Sequence, residues 1–206
     1  MAIDQILDAG APPIIAILRG VAPAEVVGIG AALIEAGIRM IEVPLNSPEP
    51  LVSIARLQAE FGDRVLIGAG TVLDAASVDA LAATGAGLVV APNTDRAVIA
   101  RALELGLEVV PGFLTPSEAF AAIAAGARKL KLFPASAHGP RYLAALREVL
   151  PADVATWAVG GVDAGNAREW LDAGAEGVAL GGALYRPGRS AAAVREAAAH
   201  AIAAIA

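Results

Sequence analysis

Two hydrophobic periods take turns along this chain. Alanine- and leucine-rich segments with helical spacing end on a glycine, and a short β-branched run follows within a few residues. The stretches "EAGIRMIEV", "FGDRVLIGAG", "TGAGLVVAP", "LGLEVVPG", "AGARKLKLF" and "AGAEGVALGG" are six copies of that theme. From Gly62 through Gly85 and Gly106 to Gly126 the steps are 23, 21 and 20 residues, room for one helix and one strand each. "PIIAILRG" opens the series and "ATWAVGG" fits between the last two copies. Eight strands are therefore expected: Ile14–Leu18, Met40–Val43, Val65–Ala69, Leu88–Ala91, Glu108–Pro111, Lys129–Phe133, Thr156–Val159 and Gly177–Leu180.

Strands alternating with helices imply a parallel α/β sheet. Eight such units close most simply as a (β/α)8 TIM barrel, here one domain over residues 1–206 with no linker. An open doubly wound sheet is the alternative. Helix starts are marked by "TPSE" (Thr115 to Glu118), a capping box with proline at the first helical position, and by "NSPEP", where Ser47 and Pro48 offer the same signal. Glycines at the helix ends supply the left-handed residue that stops each helix. "DQILDAG" suits a short helix across the barrel bottom, and "AAAVREAAAHAIAAIA" a closing helix.

Composition narrows the function. The chain is 57% hydrophobic but only 4% aromatic, so its core must be built from Ala, Val, Leu and Ile. A formal net charge of -6 with no run of like charges argues against a nucleic-acid partner. No cysteine is present, which removes disulfides, thiolate catalysis and Cys-type metal sites. His200 falls in the terminal helix and His138 in a loop, so no tight protein-only metal site is expected. "MAIDQILDAG" is acidic where a signal peptide is basic, and no apolar run nears the roughly 20 residues of a membrane span. A cytoplasmic chain with no membrane partner fits these features.

Against 13 arginines the chain has two lysines, Lys129 and Lys131, two residues apart in "KLKLFP". Alternation places Leu130 and Leu132 against the helices and both lysines on the opposite, inward side. Lys131 is nearer the carboxyl end of its strand, where barrel chemistry sits. A desolvated lysine loses its proton readily and becomes a nucleophilic amine, which a guanidinium cannot. The other reading is an ion pair that neutralises a barrel acid. Lys129, at the strand start, suits an outward, snorkelling position. In "MIEVPLNS", Ile41 and Val43 take the helix side, so Glu42 points inward, where burial would raise its pKa and suit it to proton transfer. Glu42 could also be only the counter-ion of Lys131.

Arg19 ends the first strand and Thr71 follows "GAG" after the third; both suit a carboxylate or phosphate at the mouth. Arg19 could equally partner Glu42. "AVGGV" and "ALGGA" place Gly160, Gly161, Gly181 and Gly182 after strands seven and eight, where such barrels bind phosphate. Tight turns are the alternative for these glycines.

"AILRG", "IEVPLNS", "GAGTVL", "APN", "LKLFPASAHGP", "AVGGV" and "LGGALYRPG" occur in the order seen in the 2-keto-3-deoxy-6-phosphosugar (KDPG/KHG) aldolases, and the chain resembles that family over nearly its whole length. The resemblance implies a metal-free, cofactor-free class I aldolase on a (β/α)8 barrel, a homotrimer acting on a phosphosugar acid. It makes Lys131 the Schiff-base residue and Glu42 the general acid/base. Substrate contacts would come from Arg19, Thr71, Pro92, Phe133, Val159 and the four glycines. Two features resemble the branch acting on the galactonate epimer. Asn46 stands where gluconate enzymes typically have arginine, with Arg19 available instead. Val159 stands where they have a threonine able to bond the C4 oxygen. Relatives often carry a serine in the last loop, where this chain reads "GGALY", so one hydroxyl contact to phosphate is missing.

Overall fold

The computed structural model describes residues 1–206. Its strands are β1 (Ile14–Ile17), β2 (Met40–Pro44), β3 (Leu66–Gly70), β4 (Leu88–Val90), β5 (Glu108–Val110), β6 (Gly112–Phe113), β7 (Lys129–Leu132), β8 (Ala155–Val159) and β9 (Gly177–Leu180). They form one parallel sheet in the order β5-β4-β3-β2-β1-β9-β8-β7-β6. The helices are α1 (Ile3–Asp8), α2 (Val26–Ala36), α3 (Pro50–Phe61), α4 (Ala75–Ala82), α5 (Arg96–Glu104), α6 (Pro116–Ala124), α7 (Pro140–Arg147), α8 (Ala167–Asp172) and α9 (Ala191–Ala203). Helix and strand alternate as the sequence pattern predicts.

There are nine strands rather than eight because the chain runs on in extended form past the expected fifth strand, Glu108–Pro111, and changes partner at Pro111 to make β6. A proline has no N–H to give to a ladder. Before it, Val110 accepts the Ala91 N–H; at it, the Pro111 carbonyl accepts the Lys131 N–H at 2.8 Å. The segment thus changes partner, with β5 on β4 and β6 on β7. The first and last strands of the sheet order are consecutive in the chain, one residue apart.

Strand alternation sorts the apolar residues into two cores. Ile14, Ala16 and Leu18 join the large cluster between sheet and helices, with Ile41, Val43, Leu130 and Leu132. Ile15 and Ile17 face the other way, into a smaller set with Met40, Leu66, Val110, Trp157 and Val159. Ile3 and Ile6 of α1 complete this inner set, so α1 covers one end of the sheet interior. At the other terminus α9 packs on α2, where Arg195 and Glu35 approach to 3.5 Å.

Three local expectations change. Lys129 does not snorkel outward: its Nζ lies 2.9 Å from Asp4 and 3.7 Å from Glu108, pinning α1 to the starts of β5 and β7. Inward pointing, common to both lysines, is kept because α1 brings a carboxylate to meet it. Ser47 is not a helix cap. The second proline of "NSPEP", Pro50, takes the first turn of α3, and the Ser47 hydroxyl accepts the Gly20 N–H at 3.0 Å, joining the loops after β1 and β2. Gly62 ends α3 in a right-handed conformation, unlike Gly37, Gly85, Gly106, Gly126 and Gly174. The Thr115–Glu118 capping box forms as expected. No helix is long and apolar enough to cross a membrane.

Candidate active site

Lys131 is the third residue of β7 and only 5% exposed. Its ammonium lies 4.5 Å from the centre of the Phe133 ring, an aromatic face that favours a cation while excluding water. Burial lowers its pKa; the Glu42 carboxyl opposes that shift and the Arg19 guanidinium adds to it. Glu42, third in β2, is 2% exposed, and its Oε2 is fully buried with no hydrogen-bond partner. Burial raises its pKa to about 7, against the pull of Lys131 and then Arg19. Two groups that would both be charged in water are thus held nearer to proton exchange.

Neither cation forms an ion pair with Glu42. Arg19 instead donates from Nη1 to the Asn46 Oδ1 at 2.6 Å, so it is not the structural partner of Glu42. The loops after β1 and β2 are thus joined through Arg19 and Asn46.

Glu42 owes its place to Gly70. In the β2–β3 register Glu42 lies opposite Gly68 and Pro44 opposite Gly70. A Cβ on Gly70 would fall on the Glu42 carboxylate itself. Gly70→Ala is therefore expected to swing the carboxylate away or strain the strand, destabilising the fold by about 1–3 kcal/mol and removing any pH inflection near 7 from the activity profile. Thermal melts together with a pH–rate profile check this; a variant with normal stability and an unchanged profile would contradict it.

Thr71 comes next, with φ of 58°. A β-branched residue in that region stores about 1–3 kcal/mol of strain, a condition that gathers at functional sites.

Arg19, Lys131, Phe133, Val159 and the pairs Gly160–Gly161 and Gly181–Gly182 line one cavity of about 680 Å³. Gly160 and Gly161 have φ of 95° and 77°, values that leave their bare backbone available at the rim. A side chain at Gly161 would also collide with Ser136. Glu42, Thr71 and Pro92 are not part of its lining. The Pro92 carbonyl occupies the space a side chain on Gly112 would need, which makes it a packing contact between the loop after β4 and strand β6.

Asp163, Tyr185 and Arg186 also line the cavity, and sequence reasoning missed them. The Tyr185 hydroxyl donates to Glu25 at 2.8 Å, fixing the loop after β9 to the start of α2; burial and then Glu25 raise its pKa. Arg186 stood in plain view in "LYRPG", but nothing local told which way it folds.

The family model for KDPG and KHG aldolases matches residues 3–202. Over 178 residues the chain is 51% identical to the 2-dehydro-3-deoxy-6-phosphogalactonate aldolase of Escherichia coli strain K12, covering 86% of this chain and 87% of that one. Identity to the 2-dehydro-3-deoxy-phosphogluconate aldolase of Pseudomonas aeruginosa is 34% over 160 residues, or 77% of this chain and 70% of that one. A solved structure described as native KDPGal superposes with a TM-score of 0.92 at 49% identity, covering 93% of both chains.

Proposed function

Because the chain belongs to the KDPG and KHG aldolase family, we propose that it cleaves 2-dehydro-3-deoxy-6-phospho-D-galactonate to pyruvate and D-glyceraldehyde 3-phosphate. The observation that carries this reading is the buried Lys131 amine on the cavity wall, electrostatically coupled to the buried Glu42. Lys131 attacks the C2 ketone and loss of water leaves an iminium, the electron sink for breaking C3–C4. Glu42, through a water, takes the C4 hydroxyl proton as the C3–C4 electrons move into the iminium. The aldehyde leaves, and a pyruvate enamine remains on the lysine. Glu42 returns the proton to C3, and hydrolysis of the imine frees pyruvate. No cofactor or metal enters these steps.

Arg19 and Thr71 are assigned to the substrate carboxylate, and the paired glycines to its phosphate, where backbone N–H groups face the anion. Phe133 completes the wall, and Pro92 supports the site from behind through its contact with Gly112. Counted as one strand bent at Pro111, β5 and β6 make the sheet a (β/α)8 barrel, one domain over residues 1–206 that assembles as a homotrimer in the cytoplasm.

Preference for the galactonate epimer rests on Val159, which offers no hydroxyl to the C4 oxygen, and on the Arg19–Asn46 bond, which places a cation where the gluconate branch uses a different loop. Assayed side by side, the galactonate substrate should be cleaved with kcat/KM at least about tenfold above its gluconate epimer, the range a single polar contact commands. Equal or reversed values would move the assignment to the gluconate branch. Failure to cleave either would favour a non-catalytic phosphosugar-binding barrel.

A further inference from the structure

The glycine pair after β9 lacks the serine hydroxyl that relatives often present to phosphate, yet the same loop carries a cation four residues on. Arg186 lines the cavity with Gly160, Gly161, Gly181 and Gly182. Its Nε donates to the Gly182 carbonyl at 3.1 Å, which fixes the plane of the guanidinium against the loop backbone. No carboxylate pairs with it. The other charged groups on the cavity wall are otherwise engaged or distant in role. Arg19 is bonded to Asn46, Lys131 is buried under Phe133, and Asp163 accepts the Gly165 N–H at 2.8 Å within its own turn.

Gly182 leaves the guanidinium ample room. A Cβ at that position would stand 3.3 Å from the Arg186 Nε, so that the side chain would give by a few tenths of an ångström, and 3.6 Å from its Nη2, an ordinary contact. A side chain at 182 would therefore crowd Arg186 without displacing it. We propose that Arg186 is a substrate-binding residue that grips the terminal phosphate monoester, its free Nη groups replacing the hydroxyl contact that Gly182 cannot give. The assignment rests on the aldolase reading and deepens it, adding a charged, planar contact to the backbone amides of the loop. A guanidinium held by its Nε keeps four N–H donors on its two terminal nitrogens, one from each directed side by side, the geometry that phosphate oxygens match.

The test uses the condensation direction, with pyruvate and either D-glyceraldehyde 3-phosphate or D-glyceraldehyde as acceptor. Losing one charge-assisted contact should reduce the kcat/KM ratio of phosphorylated over unphosphorylated acceptor by at least about tenfold in Arg186→Ala. The loss should appear chiefly in KM for the phosphorylated acceptor. Arg186→Lys should recover part of it, keeping the charge without the fork, and adding Gly182→Ser to Arg186→Ala should recover part by restoring the hydroxyl. An equal loss on both acceptors, or an unchanged ratio, would overturn the assignment. Inorganic phosphate gives a readout independent of catalysis: it should raise the Tm of the unaltered protein in a concentration-dependent way, and much less that of Arg186→Ala. The same rise in both proteins, or none in either, would equally overturn it. Failure of the aldolase reading itself has a different signature, no borohydride-trapped pyruvate on Lys131 whatever residue 186 is.

Discussion

Replacing Lys131 by arginine is expected to lower turnover by at least about 10⁴-fold, the scale at which a lost covalent nucleophile is felt. The substitution keeps a cation of similar reach beside Glu42 and the Phe133 ring. What it removes is an amine that can shed its proton, attack a ketone and become an iminium. Incubation with pyruvate and borohydride, followed by peptide mapping, should give one reduced adduct on Lys131 in the unaltered protein and none in the variant. Substantial cleavage by Lys131→Arg would end the Schiff-base account, because a guanidinium cannot supply the electron sink. The chain is well suited to this experiment. Its other lysine, Lys129, is committed to Asp4 and Glu108 at the opposite end of the sheet interior, so a second adduct there would itself show that the end closed by α1 had opened.

Glu42→Gln should reduce turnover about 10²- to 10⁴-fold, the usual worth of a positioned acid/base, while the pyruvate adduct on Lys131 still forms. The sign of the pH effects follows from the raised pKa. As a base for the C4 hydroxyl, Glu42 must be ionised, so cleavage by the unaltered protein should climb as pH rises through about 7, a step the glutamine variant lacks. Stability runs the other way. The folded state holds the Glu42 proton more tightly than the unfolded chain, whose carboxyl has the ordinary value of 4.5. The stability that this group contributes is therefore intact below about 4.5 and is lost as pH rises through about 7. Above that, keeping an ionised Glu42 buried costs on the order of 3 kcal/mol, so Glu42→Gln should melt higher than the unaltered protein at pH 8, with a smaller gap at pH 5. Parallel melting curves across that range would show that burial does not perturb Glu42 as described.

The periodic part of this architecture was legible because it is local. Glycine stops, β-branched runs and strand alternation are properties of a few neighbouring residues, and they located every strand but the two-residue β6, together with the inward direction of Glu42 and Lys131. What escaped depends on residues far apart in the chain. Lys129 was misplaced because its partner, Asp4, lies in a helix 125 positions earlier. Ser47 looked like a cap until the neighbouring loop brought the Gly20 N–H to it. The dependence of Glu42 on Gly70 appears only once the β2–β3 register is known. Arg186 is the same kind of case: its loop was recognised, but its course back over Gly182 is a tertiary fact. The division at Pro111 was legible in principle, since a proline in mid-strand announces a missing donor.

That division bears on how copies of the chain can meet. An open sheet ends in rim strands whose unpaired N–H and C=O groups invite a strand from another molecule. Here the two positions that would be rims, β5 and β6, are consecutive pieces of one extended segment, each already paired with a neighbour, β4 and β7. The outer edges of these two pieces are only three and two residues long, a poor template for an incoming strand. Association of folded copies is therefore expected through helix and loop surfaces, where side-chain shape decides which face fits which, and the backbone-templated route toward fibrous aggregates widens if the segment around Pro111 comes loose.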